Sequence, residues 1–331
     1  LYTQSRDGVF WELGDEVAPY NLYPIEHEGQ VMEGPGDGTC FYLDPVEHRF
    51  LASIRYWCQD EVGPGNQLRS RAYLFLDRID ELLDLSPMEG LDLVPPAGEK
   101  GGDHPWDEYY MTSTWRYESM WLGGLRIWHR DGNYPYSSAG SAYLKLVASR
   151  DGLHWNKVPF ANDGGIDEVF VPNGPEGGNN GRNDGGYITE VTQGPLKIGD
   201  ELIYYYGASS YGKNNPDDSR VTGGGVFRAR MRKDGFVSVD AGLLTTRLLQ
   251  SKGDELLTNS SGELEVEVLD AAGTALGKMA IDGDDIRKQI RFSERSLRRL
   301  VGNDRSTGDT KPFRLRFRMA PGGRLFSFSV S

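Results

Sequence analysis

Carboxyl groups stand at three points where a glycine-rich or polar stretch gives way to a run of strand-forming residues. Asp37 precedes residues 39–43, the pair Asp107-Glu108 precedes 109–115, and Asp184 precedes 187–192. Carboxyl groups gathered at one place can divide acid–base work, one kept protonated and the other ionised. Neighbouring side chains of an extended segment point to opposite faces, so only one of Asp107 and Glu108 can face a given cavity. Polar and aromatic residues accompany these acids. His104 and Trp106 flank the second junction, Arg182 lies just ahead of Asp184, and His129 ends a strand-like run at 120–128. A guanidinium at 182 can clamp a carboxylate, sulfate or hydroxyl pair of a ligand, or pair with Asp184 itself. Each residue also has a plainer reading. The acids can be solvated loop ends, Asp184 can organise an Asx turn, Trp106 can be interior packing, and His129 can satisfy ordinary hydrogen bonds.

The elements that must position these groups read almost entirely as strands. Runs rich in aromatic and β-branched residues, many with apolar–polar alternation, recur at 49–57, 71–76, 109–115, 120–128, 142–148, 187–192, 201–208, 224–230, 264–269, 286–292, 313–318 and 324–330. In the second-last of these, Phe313, Leu315 and Phe317 alternate with Arg314, Arg316 and Arg318. Helical pattern is scarce; 79–85 and 294–301 each suit about two turns. Two long loops, 97–107 and 160–186, lead into aromatic strands at Tyr109 and Tyr187. Loops of this length inside a compact domain are usually functional or disordered.

One repeat is explicit. Ser5-Arg6-Asp7-Gly8-Val9-Phe10-Trp11 returns as Ser149-Arg150-Asp151-Gly152-Leu153-His154-Trp155, with a weaker echo at Arg232-Lys233-Asp234-Gly235-Phe236. Asp-Gly between two strands supplies a tight hairpin turn, glycine taking positive φ, and both tryptophans are expected to wedge against it. The two copies are spaced as three units of roughly 48 residues, the size of a four-stranded propeller blade. The expected fold is all-β: a five-bladed β-propeller over residues 1–247, its N-terminal blade incomplete, then a small C-terminal β-sandwich over 248–331. Strand starts around a propeller axis would bring Asp37, Asp107-Glu108 and Asp184 to one central cavity.

With glycine counted and tyrosine left out, apolar residues make up about 46% of the 331-residue chain, normal for a globular protein. A formal net charge of −13 repels phosphate backbones and anionic lipid surfaces, which argues against nucleic acid and membrane partners. No apolar run approaches the ~18 residues of a membrane span. Cys40 and Cys58 cannot build a four-ligand zinc site; they are two buried thiols or one disulfide. Asp282, Asp284 and Asp285 carry hard oxygen ligands that could hold a structural calcium ion, but a solvated loop is the better reading of them. No other metal and no cofactor is expected.

The S-R-D-G-x-x-W hairpins, together with Gly194-Pro195-Leu196-Lys197-Ile198-Gly199-Asp200-Glu201-Leu202-Ile203-Tyr204-Tyr205-Tyr206-Gly207, resemble the five-bladed β-propeller glycoside hydrolases of families 32, 43 and 68. Arg228-Ala229-Arg230-Met231-Arg232-Lys233-Asp234-Gly235 and the ending Lys311-Pro312-Phe313-Arg314-Leu315-Arg316-Phe317 extend the likeness to a family-32-like bacterial group. The resemblance implies a carbohydrate substrate, a plant, algal or microbial glycan, cleaved by carboxylates at the propeller axis. It makes Glu108 the general acid, with Asp107 as the alternative, and Asp184 the base or nucleophile. Asp37, His104, Trp106, Arg182 and His129 become substrate-binding candidates, Trp106 as a wall on which a sugar ring stacks. A secreted or periplasmic protein is the accompanying expectation, on which the N-terminus is uninformative. The sequence departs from the family at its first acid, since Tyr42-Leu43-Asp44-Pro45 matches an R-D-P motif only at Asp-Pro. Two alternatives stand beside hydrolysis: a glycoside phosphorylase on the same fold, and a glycan-binding propeller without turnover.

Overall fold

The computed structural model describes residues 3–13, 25–27, 30–32, 38–59, 67–79, 81, 92–93, 107–130, 140–158, 169–174, 183–212, 223–292, 296–303 and 310–331. Asp37, His104, Trp106 and Arg182 lie outside the described residues, as do the Cys58 side chain, most of the two long loops and most of 79–85. Within the described residues the protein is nearly all β. The one helix there, α1 (Leu297–Val301), is capped by the Ser296 side chain and ends at Gly302, φ 78°. None is long and apolar enough to cross a membrane. The chain divides into two compact units, Leu1–Pro195 with Tyr204–Ala229, and Leu196–Ile203 with Arg230–Ser331.

The first unit opens on two short hairpins, β1 (Thr3–Gln4) with β2 (Glu12–Leu13) and β3 (Ile25–His27) with β4 (Gln30–Met32). A four-stranded antiparallel sheet and the first, antiparallel part of an eight-stranded sheet follow, each in sequential order. One is β5 (Cys40–Leu43), β6 (Phe50–Gln59), β7 (Gln67–Leu76) and β8 (Asp92–Leu93). The other is β9 (Asp107–Tyr117), β10 (Met120–Arg130), β11 (Gly140–Ser149) and β12 (Trp155–Lys157). Next come β13 (Tyr187–Val191), β14 (Leu196–Ile198), β15 (Glu201–Ser209) and β16 (Gly224–Arg232); β13, β14 and β16 all pair with β15, and β13 meets β11 at Ala142↔Tyr187.

The repeated heptad builds the same turn twice. Ser5 Oγ accepts the Gly8 N–H (2.8 Å), and Asp7 Oδ1 accepts the Val9 and Phe10 N–H groups at 2.8 and 2.9 Å. Ser149 Oγ accepts from Gly152 (2.8 Å), and Asp151 Oδ1 from Leu153 and His154, both at 2.9 Å. Gly8 and Gly152 take φ of 75° and 84°, as glycine at such a turn can. The tryptophans differ. Trp155 stacks on Tyr73 at 5.0 Å and donates its indole N–H to the Gly152 carbonyl, whereas Trp11 is 61% exposed and wedges against nothing among the described residues, contrary to expectation.

Strand β9 is buried along nearly its whole length on both faces, so its polar side chains must find partners within the protein. Three of these contacts follow one register: Arg69 Nη1 to Glu108 Oε2 (3.2 Å), Arg71 Nη1 to the Tyr110 carbonyl (3.2 Å), and Tyr73 Oη to Thr112 Oγ1 (2.9 Å), each joining residues 39 apart. Three residues of β7, two apart, thus meet three positions of β9, two apart. On the opposite side, Ser113 Oγ donates to the Val191 carbonyl of β13 (3.0 Å).

Arg71 is the centre of this arrangement. It is fully buried and bonds the carbonyls of Gly38 (2.7 Å), Ser53 (2.6 Å) and Tyr110, besides Ser53 Oγ. Burial lowers its pKa to about 10, with the Arg126 and Arg55 charges pushing the same way and Cys40 and Tyr73 opposing them, so the guanidinium stays charged at neutral pH.

In the second unit, β14 pairs with Glu201–Ile203 of β15. An antiparallel sheet contains β17 (Val239–Thr245), β18 (Leu256–Ser261), β19 (Leu264–Asp270), β20 (Ala275–Ile281), β21 (Asp284–Ile290) and β22 (Phe313–Val330). The first half of β22 pairs with β19 and the second with β18, with Gly322 at φ 83° between them. The alternation at the start of β22 is realised: Phe313, Leu315 and Phe317 enter a core with Leu256, Val266, Ile290 and Leu297, while Arg316 pairs with Glu267 and Arg318 with Glu265 across the strands. Asp282, Asp284 and Asp285 are engaged by the Gly283 N–H, Arg232 and Lys288 respectively.

Two outcomes follow. Arg71→Met strands three buried carbonyls and should cost about 3 kcal/mol or more in urea unfolding, Arg71→Lys recovering only part because an ammonium lacks the guanidinium fork. Asp151→Ala should cost about 1 kcal/mol. Desolvation opposes ionisation of Asp151, but the His154 backbone and ring, the Leu153 N–H and the Ser149 hydroxyl outweigh it and hold the carboxyl below the usual range. A depressed carboxyl stabilises the fold above its unfolded pKa of about 4. The gap between wild type and Asp151→Ala therefore narrows as urea midpoints are taken from pH 6 towards pH 2.

Candidate active site

The acids at the head of β9 are both fully buried, and cross-strand register sends them to opposite faces. Asp107 pairs with His129, Glu108 with Trp128 and Tyr109 with Ile127; the register then slips, so that Met111 faces Arg126 and Tyr110 is an extra residue. This is a β-bulge, and bulges re-aim side chains near sites. On one face Asp107 Oδ1 lies 2.7 Å from His129 Nδ1 and its Oδ2 accepts from the Tyr143 hydroxyl at 3.3 Å. On the other face Arg69 pairs with Glu108 at 3.2 Å. The Arg69 guanidinium also lies 4.6 Å from the Tyr110 ring centre and 5.2 Å from that of Trp128, within cation–π range.

Aromatic residues join this face to the head of β13. Tyr110 and Trp128 meet edge to face at 5.5 Å and share a buried cluster with Ala142 and Tyr187. Arg126 lies 4.3 Å from the Tyr110 ring centre and 5.8 Å from that of Tyr187. Three residues before Tyr187 stands Asp184, buried, its Oδ2 accepting the Tyr206 hydroxyl at 2.7 Å. Its Oδ1 is buried with no hydrogen-bond partner among the described residues. The Tyr206 ring is stacked on Phe227 at 5.5 Å, which fixes the hydroxyl that Asp184 receives.

Of the residues singled out by sequence, Asp107 and His129 are in direct contact. Glu108 is on the reverse face of the same strand, and Asp184 heads the strand whose Tyr187 shares the cluster around Trp128. Sequence reasoning did not find Arg69, Tyr143 or Tyr206. Arg69 carried a signal: it shares its parity on β7 with Arg71, Tyr73 and Phe75, so two cations stand in line with aromatic residues on one face. Tyr143 and Tyr206 carried none beyond their strand positions. Among the described residues, no group of three or more His, Cys, Asp or Glu side chains is placed to hold a metal ion.

No family model matches the chain, and no curated protein sequence does. Among solved structures, the chain is similar to a glycoside hydrolase (12% identity over 88% of this chain and 80% of that one, TM-score 0.37). It is also similar to a family 43 arabinoxylan arabinofuranohydrolase from Bacillus subtilis (9% identity, 92% and 70%, TM-score 0.30). A third is a glycosyl hydrolase from Bacteroides ovatus (13% identity, 85% and 80%, TM-score 0.32).

Tyr206→Phe removes the hydroxyl on Asp184 and leaves a buried carboxyl group short of a donor. The expected loss is about 1–3 kcal/mol, and Asp184→Asn in the Tyr206→Phe background should cost less than the two changes summed. A double-mutant cycle in urea unfolding measures that coupling.

Proposed function

We infer that the chain is a glycoside hydrolase acting on a plant, algal or microbial glycan, with carboxylates supplied from strand heads at the axis of a five-bladed β-propeller spanning 1–247 and a β-sandwich over 248–331. The observation that carries this reading is the placing of two fully buried carboxylates, Asp107 and Glu108, at the head of β9, with buried Asp184 at the head of β13. Burying charge is costly unless it is compensated, and little in a sheet terminus requires it. The buried aromatic cluster of Tyr110, Trp128 and Tyr187 packs beside them.

The contacts favour a division of roles different from that implied by the motif resemblance. An ion pair with Arg69 is made by a carboxylate, so Glu108 is suited to stabilise positive charge at the anomeric carbon rather than to deliver a proton. Asp184 has a hydroxyl on Oδ2 and an unengaged Oδ1, the place for a transferable proton, and is suited to protonate the leaving oxygen. Asp37, His104, Trp106 and Arg182 remain proposed contributors to substrate binding.

The test is a screen of plant, algal and microbial glycans, with and without inorganic phosphate, against wild type, Glu108→Gln and Asp184→Asn. Hydrolysis without phosphate is expected, slowed about 10²–10⁴-fold by Asp184→Asn and about 10²–10³-fold by Glu108→Gln. Unchanged rates in both variants defeat the assignment. Strict phosphate dependence makes the protein a phosphorylase, and tight glycan binding without turnover makes it a binding propeller.

A further inference from the structure

The sheet of the second unit opens at one point into a recess. Strand β22 pairs with β17 at Gly242↔Met319 and again at Asp240↔Arg324, so residues 320–323 of β22 answer to Ala241 alone. Gly242, at φ 144°, brings no side chain to fill the gap, and a Cβ there would meet only the Asp240 carbonyl, at 3.8 Å. The recess has a volume of about 400 Å³, and its lining includes Leu243, Glu263, Glu265, Arg318, Ala320 and Pro321. Sites for small ligands span about 300–1,000 Å³.

The lining carries both signs of charge beside apolar surface. Leu243, Arg318 and Glu265 stand opposite one another across β17, β22 and β19, and opposed residues share a face of the sheet. Leu244 packs against the core of the unit, whereas Leu243 points away from it and is 56% exposed. Both oxygens of Glu265 are engaged, Oε2 by Lys278 Nζ at 2.6 Å and Oε1 by Arg318 Nε at 3.6 Å. Among the described residues, the terminal nitrogens of Arg318 and the side chain of Glu263 make no hydrogen bond. Arg318 and Lys278 repel a cationic ligand, and Glu263 and Glu265 repel an anionic one. A hydroxyl group both donates and accepts, so a neutral ligand rich in hydroxyls meets Glu263 and Arg318 alike.

We propose that this recess binds a neutral sugar ring with vicinal hydroxyls. One hydroxyl donates to Glu263, its neighbour accepts from the terminal nitrogens of Arg318, and the C–H surface of the ring lies on Leu243 and Pro321. The site holds a glycan without cleaving it. It does not depend on the hydrolase reading, because none of its groups belongs to the carboxylates of β9 or β13.

The test uses the full chain labelled at its leucine and valine methyl groups. The Leu243 signals, assigned by their loss in Leu243→Ile, are followed as xylohexaose, mannohexaose or maltohexaose is added. The expected result is a saturable shift of these signals with at least one of the three sugars. Affinity should fall about tenfold in Arg318→Gln and in Glu263→Gln, each of which removes hydrogen bonds to a charged group. Both side chains are on the surface, so the thermal melts of these variants should stay cooperative. No shift with any of the three sugars, or equal affinity in both variants, overturns the proposal. A shift with trilysine and none with the sugars also overturns it, and marks a site for basic peptide. Turnover of these sugars, or its absence, bears on the hydrolase reading alone.

Discussion

The Arg71 guanidinium is the constraint on which the first unit turns. A strand head cannot be placed accurately by hydrophobic burial, which is non-directional. A buried fork of donors can do it, because each N–H fixes an acceptor in distance and angle. Arg71 spends its donors on the backbone ahead of β5, on β6 and on the bulged residue of β9, which ties together segments from Gly38 to Tyr110. Gly38 belongs to the same knot. It has φ 74°, and a Cβ there would come within 2.9 Å of the Tyr110 carbonyl, so the chain can approach only without a side chain.

From that knot the placement of the acids follows. The Arg71 bond to the Tyr110 carbonyl is flanked along the strands by Tyr73 on Thr112 and by Arg69 on Glu108. Tyr73 and Thr112 form a buried neutral bond, and burial raises the Tyr73 hydroxyl to about 12, so it remains a donor at any ordinary pH. Structural packing and site chemistry are thus successive rungs of one ladder, differing in whether the rung ends in a hydroxyl or a carboxylate.

How much of this was legible in the sequence depends on range. The Ser-Arg-Asp-Gly turns were readable because their hydrogen bonds span two or three residues. The Phe313, Leu315, Phe317 face was readable because a strand's period is local. That acids stand at strand heads was readable from the loops before them. Their partners were not: the His129 contact depends on register across β9 and β10, and the Arg69 contact on two separate sheets meeting. Trp11 and Trp155 mark the limit, since heptads that share Ser-Arg-Asp-Gly and the final Trp make the same turn and yet one tryptophan is covered and the other exposed. The turn is set by its own residues, but burial is set by what lies next to it.

The extra residue at Tyr110 has an evolutionary corollary. Losing it would leave every other pair of the two strands in place, because Tyr109 and Met111 already face the consecutive residues Ile127 and Arg126. Asp107 and Glu108 would keep their sides, and what would go is the Tyr110 ring and the carbonyl that Arg71 holds. A lineage that dropped this one codon would therefore preserve the facing of its acids while losing the anchor that fixes the strand carrying them.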